Sequence, residues 1–314
     1  MEKNRVVLIA LSGAMVFTLV AYGYFMKNHA SSSLDPSKSN LNSLPTGTKT
    51  LELSTLDTVV IPEIPNRPKG ERVKVNGINL YYEIFGEGEP LLLLHGGGAT
   101  IESWYAQIPE FAKKYKVIVP DGRGHGRSQD GEGAINFDLM ASDMVALLDH
   151  LGIKSVMVVG WSDGGVIGLQ MAIRHPDLVK KLVTLGAHSR PDGMTDEFKS
   201  QVESFDPESF PAILKDGYKA LSPDGPEHWP VVFGKLKIMW LTLPDFQESD
   251  LKGILCPVLL MVGENDIVRK EESDRMSRLI PNSKLEVVMG ASHYSPIEVP
   301  EKVNRTIVGF LEMP

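Results

Sequence analysis

The stretch Val156-Met-Val-Val-Gly-Trp-Ser162-Asp-Gly-Gly-Val-Ile-Gly168 restricts what this chain can become more than any other. Four apolar, mostly β-branched residues end at a glycine, a lone serine follows, and apolar residues at helical spacing come next. A short valine-rich run bounded by glycine reads as a buried strand that turns sharply into a helix. Gly160 and Gly164 stand two positions either side of Ser162. A serine held in a strained strand-to-helix turn leaves no room for side chains at those positions. A helix that begins at the serine aims unpaired N–H groups and a positive dipole end at whatever the serine meets. G-x-S-x-G also recurs by chance, and ordinary glycine-rich turns share it, so its partners elsewhere in the chain decide its meaning.

The ends of the function space are set by composition. A formal net charge of −8 and a pI near 5.5 exclude the basic footprint of a nucleic-acid binder. Cys256 is the only cysteine, so no intrachain disulfide forms. No His or Cys spacing suggests a metal, and neither metal nor cofactor is expected. Val6 to Met26 carry no charge, and as a helix they would span about 31 Å, enough for a bilayer core. With Lys3 and Arg5 ahead of it, this predicts an uncleaved anchor over residues 1–29 and an extracytoplasmic remainder, periplasmic in a bacterium. The rival is a cleaved signal peptide and secretion, although such apolar regions usually run about 7–15 residues. Residues 30–70, rich in Ser, Pro, Thr and Asn, read as a flexible tether. The folded domain is expected over 71–314.

Within that domain, alternating runs around Asn76-Gly77 signal a hairpin. Strands follow at Leu91–Leu94, Val117–Val119, Lys181–Leu185, Pro257–Val262 and Lys284–Met289, interleaved with helical patterns such as Phe137–Leu151 and Glu301–Leu311. The alternation predicts an α/β fold: a mostly parallel sheet with helices on both faces and function at the carboxyl ends of its strands. Residues 190–252 show helical pattern without a clear strand and read as a small helical cap. This segment holds 7 Lys/Arg against 12 Asp/Glu, a net of −5.

Other motifs fall at strand ends: His95-Gly96-Gly97-Gly98, the loop Asp121-Gly-Arg-Gly-His-Gly-Arg-Ser128, Asp266 in Gly-Glu-Asn-Asp, and His293 in Gly-Ala-Ser-His. Ser162 is a poor nucleophile until a base takes its proton, and His293 can be that base. An acid must orient the imidazole, and Asp266, just past an apolar strand, suits the task. Singly, His293 reads equally as a loop histidine and Asp266 as a helix cap. Together with the serine turn they make a nucleophile, base and acid set.

In this order the motifs resemble the α/β-hydrolase superfamily over about Glu71 to Pro314, and most of all its small-cap serine esterases, those like proline iminopeptidase, valacyclovir hydrolase and enol-lactonase. The resemblance implies a triad of Ser162, Asp266 and His293. It also implies an oxyanion hole of the backbone N–H groups of Asp163 and Gly97, with Gly96 as the alternative to Gly97. The implied reaction is cofactor-free hydrolysis of small carboxylic esters, with amides second, through an acyl-enzyme. A perhydrolase or lactonase would use the same residues, and a ligand-binding protein could keep the fold without turnover. The Asp163 side chain has two readings, a cap for the helix after Ser162 or, as in valacyclovir-hydrolase-like members, a partner for a substrate amino group. Trp104, Tyr105, Trp229, Trp240 and Tyr294 are candidate pocket aromatics. His95 and His125 read as structural, and His188 belongs to no partner pattern.

Overall fold

The computed structural model describes residues 62–314, so the expected anchor at residues 6–26 and the tether up to residue 61 lie outside the described residues. The chain is engaged earlier than the expected start at Glu71. Ile64 is buried, and Arg67 pairs with Glu83 and Glu102 at 2.8 Å each.

Eight strands form one sheet in the order β1-β2-β4-β3-β5-β6-β7-β8. They are β1 (Glu71–Val75), β2 (Ile78–Phe85), β3 (Glu89–Leu94), β4 (Tyr115–Pro120), β5 (Val156–Trp161), β6 (Val179–Leu185), β7 (Val258–Asn265) and β8 (Ser283–Ser292). Only β2 runs against its neighbours, and from β4 to β8 every pairing is parallel. The β1–β2 connection is a two-residue turn in which Asn76 and Gly77 both take positive φ, 39° and 84°. That is the twist a tight hairpin needs, and Asn-Gly accommodates it with least strain.

The central strands read as unbroken apolar runs because both faces of the sheet are covered. Leu92, Leu94, Val158, Leu182 and Leu260 join one buried layer with the helices α2 (Phe137–His150) and α3 (Asp163–Arg174). Leu91, Leu93, Val159, Val183 and Met261 join the other, with Trp104, α1 (Ile108–Phe111) and α10 (Pro300–Leu311). Successive residues alternate between layers as strand pleating requires. Helix α2 begins at Asn136, whose side chain accepts the Leu139 N–H at 2.8 Å.

Between β6 and β7 the chain leaves the sheet and builds α4 (Asp196–Ser204), α5 (Ala212–Leu221), α6 (Trp229–Thr242) and α7 (Glu248–Lys252). Trp229, Phe233, Leu236 and Met239 of α6 are buried in the α2/α3 layer. After β7 come α8 (Lys270–Leu279) and, beyond β8, the single turn α9 (Ser295–Glu298).

The loop after β4 is fastened by an ion pair. Arg123 gives Nε and Nη2 to the Asp143 carboxylate of α2 at 2.8 and 2.7 Å, and Asn76 Nδ2 adds a bond at 3.0 Å. Both charged side chains are buried. Removing one partner leaves an uncompensated buried charge, so Asp143→Ala should cost about 3–5 kcal/mol in urea unfolding. A loss below ~1 kcal/mol would show that Arg123 finds other partners.

Candidate active site

Crowding shapes the turn between β5 and α3. Ser162 has φ 55° and ψ −120°, a strained conformation for a residue with a side chain. A Cβ on Gly160 would run into the Gly164 carbonyl, and one on Gly164 into that of Leu94 at the end of β3. Gly96 lies so close that an added Cβ would stand 3.2 Å from Ser162 Cβ. The glycine pattern in the sequence thus marks a three-way contact of β3, β5 and α3.

Two other strand ends converge on this turn. Asp266, just past β7, accepts His293 Nδ1 through Oδ1 at 2.7 Å. The same carboxylate takes the N–H groups of Gly263 at 3.0 Å and Val268 at 3.1 Å. Burial pushes the Asp266 carboxyl up, but the charge and hydrogen bond of His293 and the two amides outweigh it and hold the group below its ordinary value. His293 is also fixed from behind, since Trp161 Nε1 donates to its carbonyl at 2.8 Å. At the end of β6, Gly186 has φ 59°, and a Cβ there would strike the His293 ring.

Ser162, Asp163, Gly96, Gly97, His293 and Tyr294 line one cavity of about 110 Å³. Its far wall comes from the helical insertion: Phe198, Val202, Phe205, Phe210, Leu214 and Trp240. The cavity is partly open and has room for a small organic group. Among the described residues that line it there is no Lys or Arg.

Asp163 is 4% exposed, and its Oδ2 accepts Trp240 Nε1 at 2.8 Å. Burial pushes its carboxyl up to about 6, against the opposing effects of Trp240 and His293. Gly97 fits beneath this pair, where a Cβ would strike both the carboxylate and the indole. The aromatic expectations divide. Tyr294 and Trp240 line the cavity. Trp104 and Trp229 do not: Trp104 is packed edge-on against Trp161, and Trp229 sends its indole N–H to the Pro207 carbonyl at 2.6 Å. Both are core side chains, as large aromatics on apolar faces usually are. His95 bridges two loops, with Nδ1 at 2.8 Å from the Gly96 carbonyl and Nε2 accepting the Gly122 N–H at 2.9 Å. His188 and Gly186 line the cavity as well, although the sequence singled out neither. Their signal was positional, since both follow β6 at the edge where α/β sites gather.

Residues 89–228 match the family model of the alpha/beta hydrolase fold. A putative carbamate hydrolase, RutD, of Azorhizobium caulinodans is 29% identical over 251 residues, 74% of this chain and 94% of that protein. A non-heme haloperoxidase of Rhodococcus erythropolis is 26% identical over 76% of this chain and 97% of its own. The solved structure of a thermophilic esterase from Thermogutta terrifontis superposes with a TM-score of 0.63 at 28% identity, covering 78% of this chain and 98% of that one. The chain has the α/β-hydrolase fold.

For this hydrolase the expected membrane-anchored placement is corrected. Among the described residues no helix is long and apolar enough to cross a membrane. The match also takes up 94% and 97% of the two relatives' lengths, so they carry no counterpart of an anchor and tether. No membrane partner is assigned through residues 6–26.

The raised carboxyl of Asp163 has a consequence for stability. Its folded value, about 6, lies above the ordinary 3.8, so between these values the folded hydrolase holds a proton the unfolded chain has lost. The stabilisation is present below the unfolded value and disappears as pH rises through about 6, a change of up to ~3 kcal/mol. Asp163→Asn keeps an acceptor for Trp240 and escapes this loss. Its melting temperature should exceed that of wild type at pH 8, with the gap closing toward pH 4; a constant offset would refute the assignment.

Proposed function

We propose that the protein is a serine hydrolase of small, neutral carboxylic esters, with amides as poorer substrates. The observation that carries this reading is the His293 Nδ1 to Asp266 Oδ1 bond, with His293 lining the same cavity as Ser162. Nδ1 is committed to the acid, so Nε2 is the nitrogen left to serve the serine. In this mechanism Ser162 Oγ attacks the ester carbonyl while His293 takes its proton. Asp266 keeps the imidazole in the useful tautomer and stabilises its cation. The oxyanion is held by the backbone N–H groups of Asp163, at the start of α3, and Gly97. His293 then protonates the leaving alcohol, and water repeats the cycle on the acyl-enzyme. We read residues 190–252 as a cap over this site, because its helices supply the apolar wall.

The substrate class follows from that wall and from charge. An apolar cavity without cations favours a neutral, short acyl group, and Asp163 repels an anion whenever it is ionised. The relatives fit several acyl chemistries: one solved neighbour, Est816, is described as degrading N-acyl homoserine lactones, and others are esterases. Lactone opening uses the same nucleophile and is the nearest alternative.

Two results test the proposal. Ser162→Ala should fold normally, resist fluorophosphonate labelling and lose at least about a thousandfold in kcat on an activated butyrate ester, and Asp266→Asn should lose about as much. Near wild-type turnover by Ser162→Ala would refute it. At pH 8, esters with a carboxylate in the acyl chain should show kcat/KM at least about tenfold below matched neutral esters. That ratio should shrink as pH falls below about 6 and Asp163 takes up its proton.

A further inference from the structure

Residues 95–100, the loop that leaves β3 and lies against the serine turn, contain three consecutive glycines, Gly96, Gly97 and Gly98. Glycine has the widest backbone freedom and no side chain to add contacts, so this loop depends on what grips its ends. Within it, the Ala99 N–H meets the Gly96 carbonyl at 3.1 Å. At its start, His95 Nε2 takes the Gly122 N–H. At its finish the chain enters the turn Ile101–Trp104. There Asp121 Oδ1 accepts the Ile101 N–H at 2.9 Å, and Thr100 Oγ1 donates to Glu102 Oε2 at 2.6 Å.

Glu102 is the centre of this second grip. It is buried, and Arg67 Nη1, at 2.8 Å, and Arg127 Nη2 both donate to its Oε1. Burial pushes the Glu102 carboxyl up, but Arg127, Arg67 and Thr100 outweigh it and hold the group down at about 2, so the pairs are ionic at neutral pH. Arg127 also gives Nη1 to Asp121 Oδ2 at 2.9 Å. Arg67 reaches instead to β2, giving Nε and Nη2 to the buried Glu83, with Nη2 at 2.8 Å. This arginine comes from the stretch ahead of β1 that the sequence reads as tether, yet it ties Glu102 to a strand of the sheet. Without it, one guanidinium of this cluster is left for three buried carboxylates, Glu83, Glu102 and Asp121, and their repulsion acts on the turn that ends the glycine loop.

We propose that Arg67 is a positioning residue for the oxyanion hole: by clamping Glu102 to β2 it fixes the glycine loop whose Gly97 N–H meets the reacting carbonyl oxygen. This deepens the reading of the cavity as an ester-hydrolysing site and rests on it. A preorganised donor acts at full strength only while it is held in place, and a small misplacement is costly in rate. Arg67 touches no substrate, so its loss acts on the transition state more than on binding.

The test compares phenyl butyrate with its thionoester, O-phenyl butanethioate, using the full chain. Sulfur is larger than oxygen and a poor hydrogen-bond acceptor, so a tight oxyanion hole favours the oxygen ester and a loosened one favours it less. Arg67→Ala should lower kcat on phenyl butyrate about tenfold with KM within about twofold of wild type. The ester-to-thionoester ratio of kcat/KM should fall at least about threefold in the same variant. Arg67→Lys, which keeps the charge but not the two-sided fork, should recover part of both. An Arg67→Ala protein that melts at lower temperature but keeps the wild-type kcat and ratio would make the arginine a staple of the fold and overturn the proposal. Should neither arginine variant fold, Thr100→Val decides, since it removes one bond to Glu102 and leaves every charge in place. It should lower kcat and the ratio in the same direction, and unchanged values would overturn the proposal. Absence of any ester turnover in the wild type would instead overturn the esterase reading itself.

Discussion

The structure depends on a steric constraint: three backbone segments meet at Ser162 with no space for a Cβ between them. Gly164 lies against the Leu94 carbonyl of β3, Gly160 against α3, and Ser162 is left at φ 55°. An alanine at either glycine would force β3, β5 and α3 apart. The strain at the serine persists because its surroundings over-determine it. Two consequences follow for the site. The serine side chain is presented at the strand ends, and the first amides of α3 face the same space, because a helix cannot satisfy its own first N–H groups.

The helical insertion is joined to this turn at several points. Met194 bridges Val268, and Thr195 donates to the Ile267 carbonyl at 2.8 Å. The amide of Val268 is one of those holding Asp266. The start of the insertion and the acid therefore share a short backbone segment, and displacement of one is transmitted to the other. Lys235 of α6 meets the buried Asp130 at 2.6 Å, and Trp240 of the same helix meets Asp163 at 2.8 Å. Helix α6 thus ties the loop after β4 and the residue after the serine to one rigid body.

Legibility in the sequence followed the range of the interaction. The hairpin at Asn76-Gly77, the paired apolar runs of β3, β5 and β7, and the glycine pattern around Ser162 are local, and each matched its element to within a few residues. The separations that bring Asp266 to His293 were legible because both residues lie just beyond strands of a parallel sheet, whose ends gather on one edge. The lining of the cavity was not legible. Trp104 and Trp240 look alike in sequence, yet one is buried against Trp161 and the other faces Asp163. What separates them is the packing of the helices between β6 and β7, which apolar periodicity alone cannot orient. His188 escaped for the same reason, since the far wall of the cavity it lines is that insertion.

The electrostatics of the site are governed from that insertion. Beside His293, three ionisable groups line the cavity, and burial works on each in favour of the neutral form: the Tyr294 phenol is pushed up, Asp163 is raised to about 6 and His188 lowered to about 4. Between those values the cavity walls are uncharged at these positions. Above about 6 they carry one carboxylate, stabilised by the amide end of α3 and the Trp240 indole. In the proposed mechanism the same amide end serves the oxyanion at Ser162, so the carboxylate and the oxyanion compete for one dipole. The Trp240 N–H eases this competition by giving Asp163 a donor of its own. A shift of α6 removes that donor while admitting water to the carboxylate, two effects of opposite sign on its charge. The position of α6 therefore sets the field at the serine as well as the volume of the cavity.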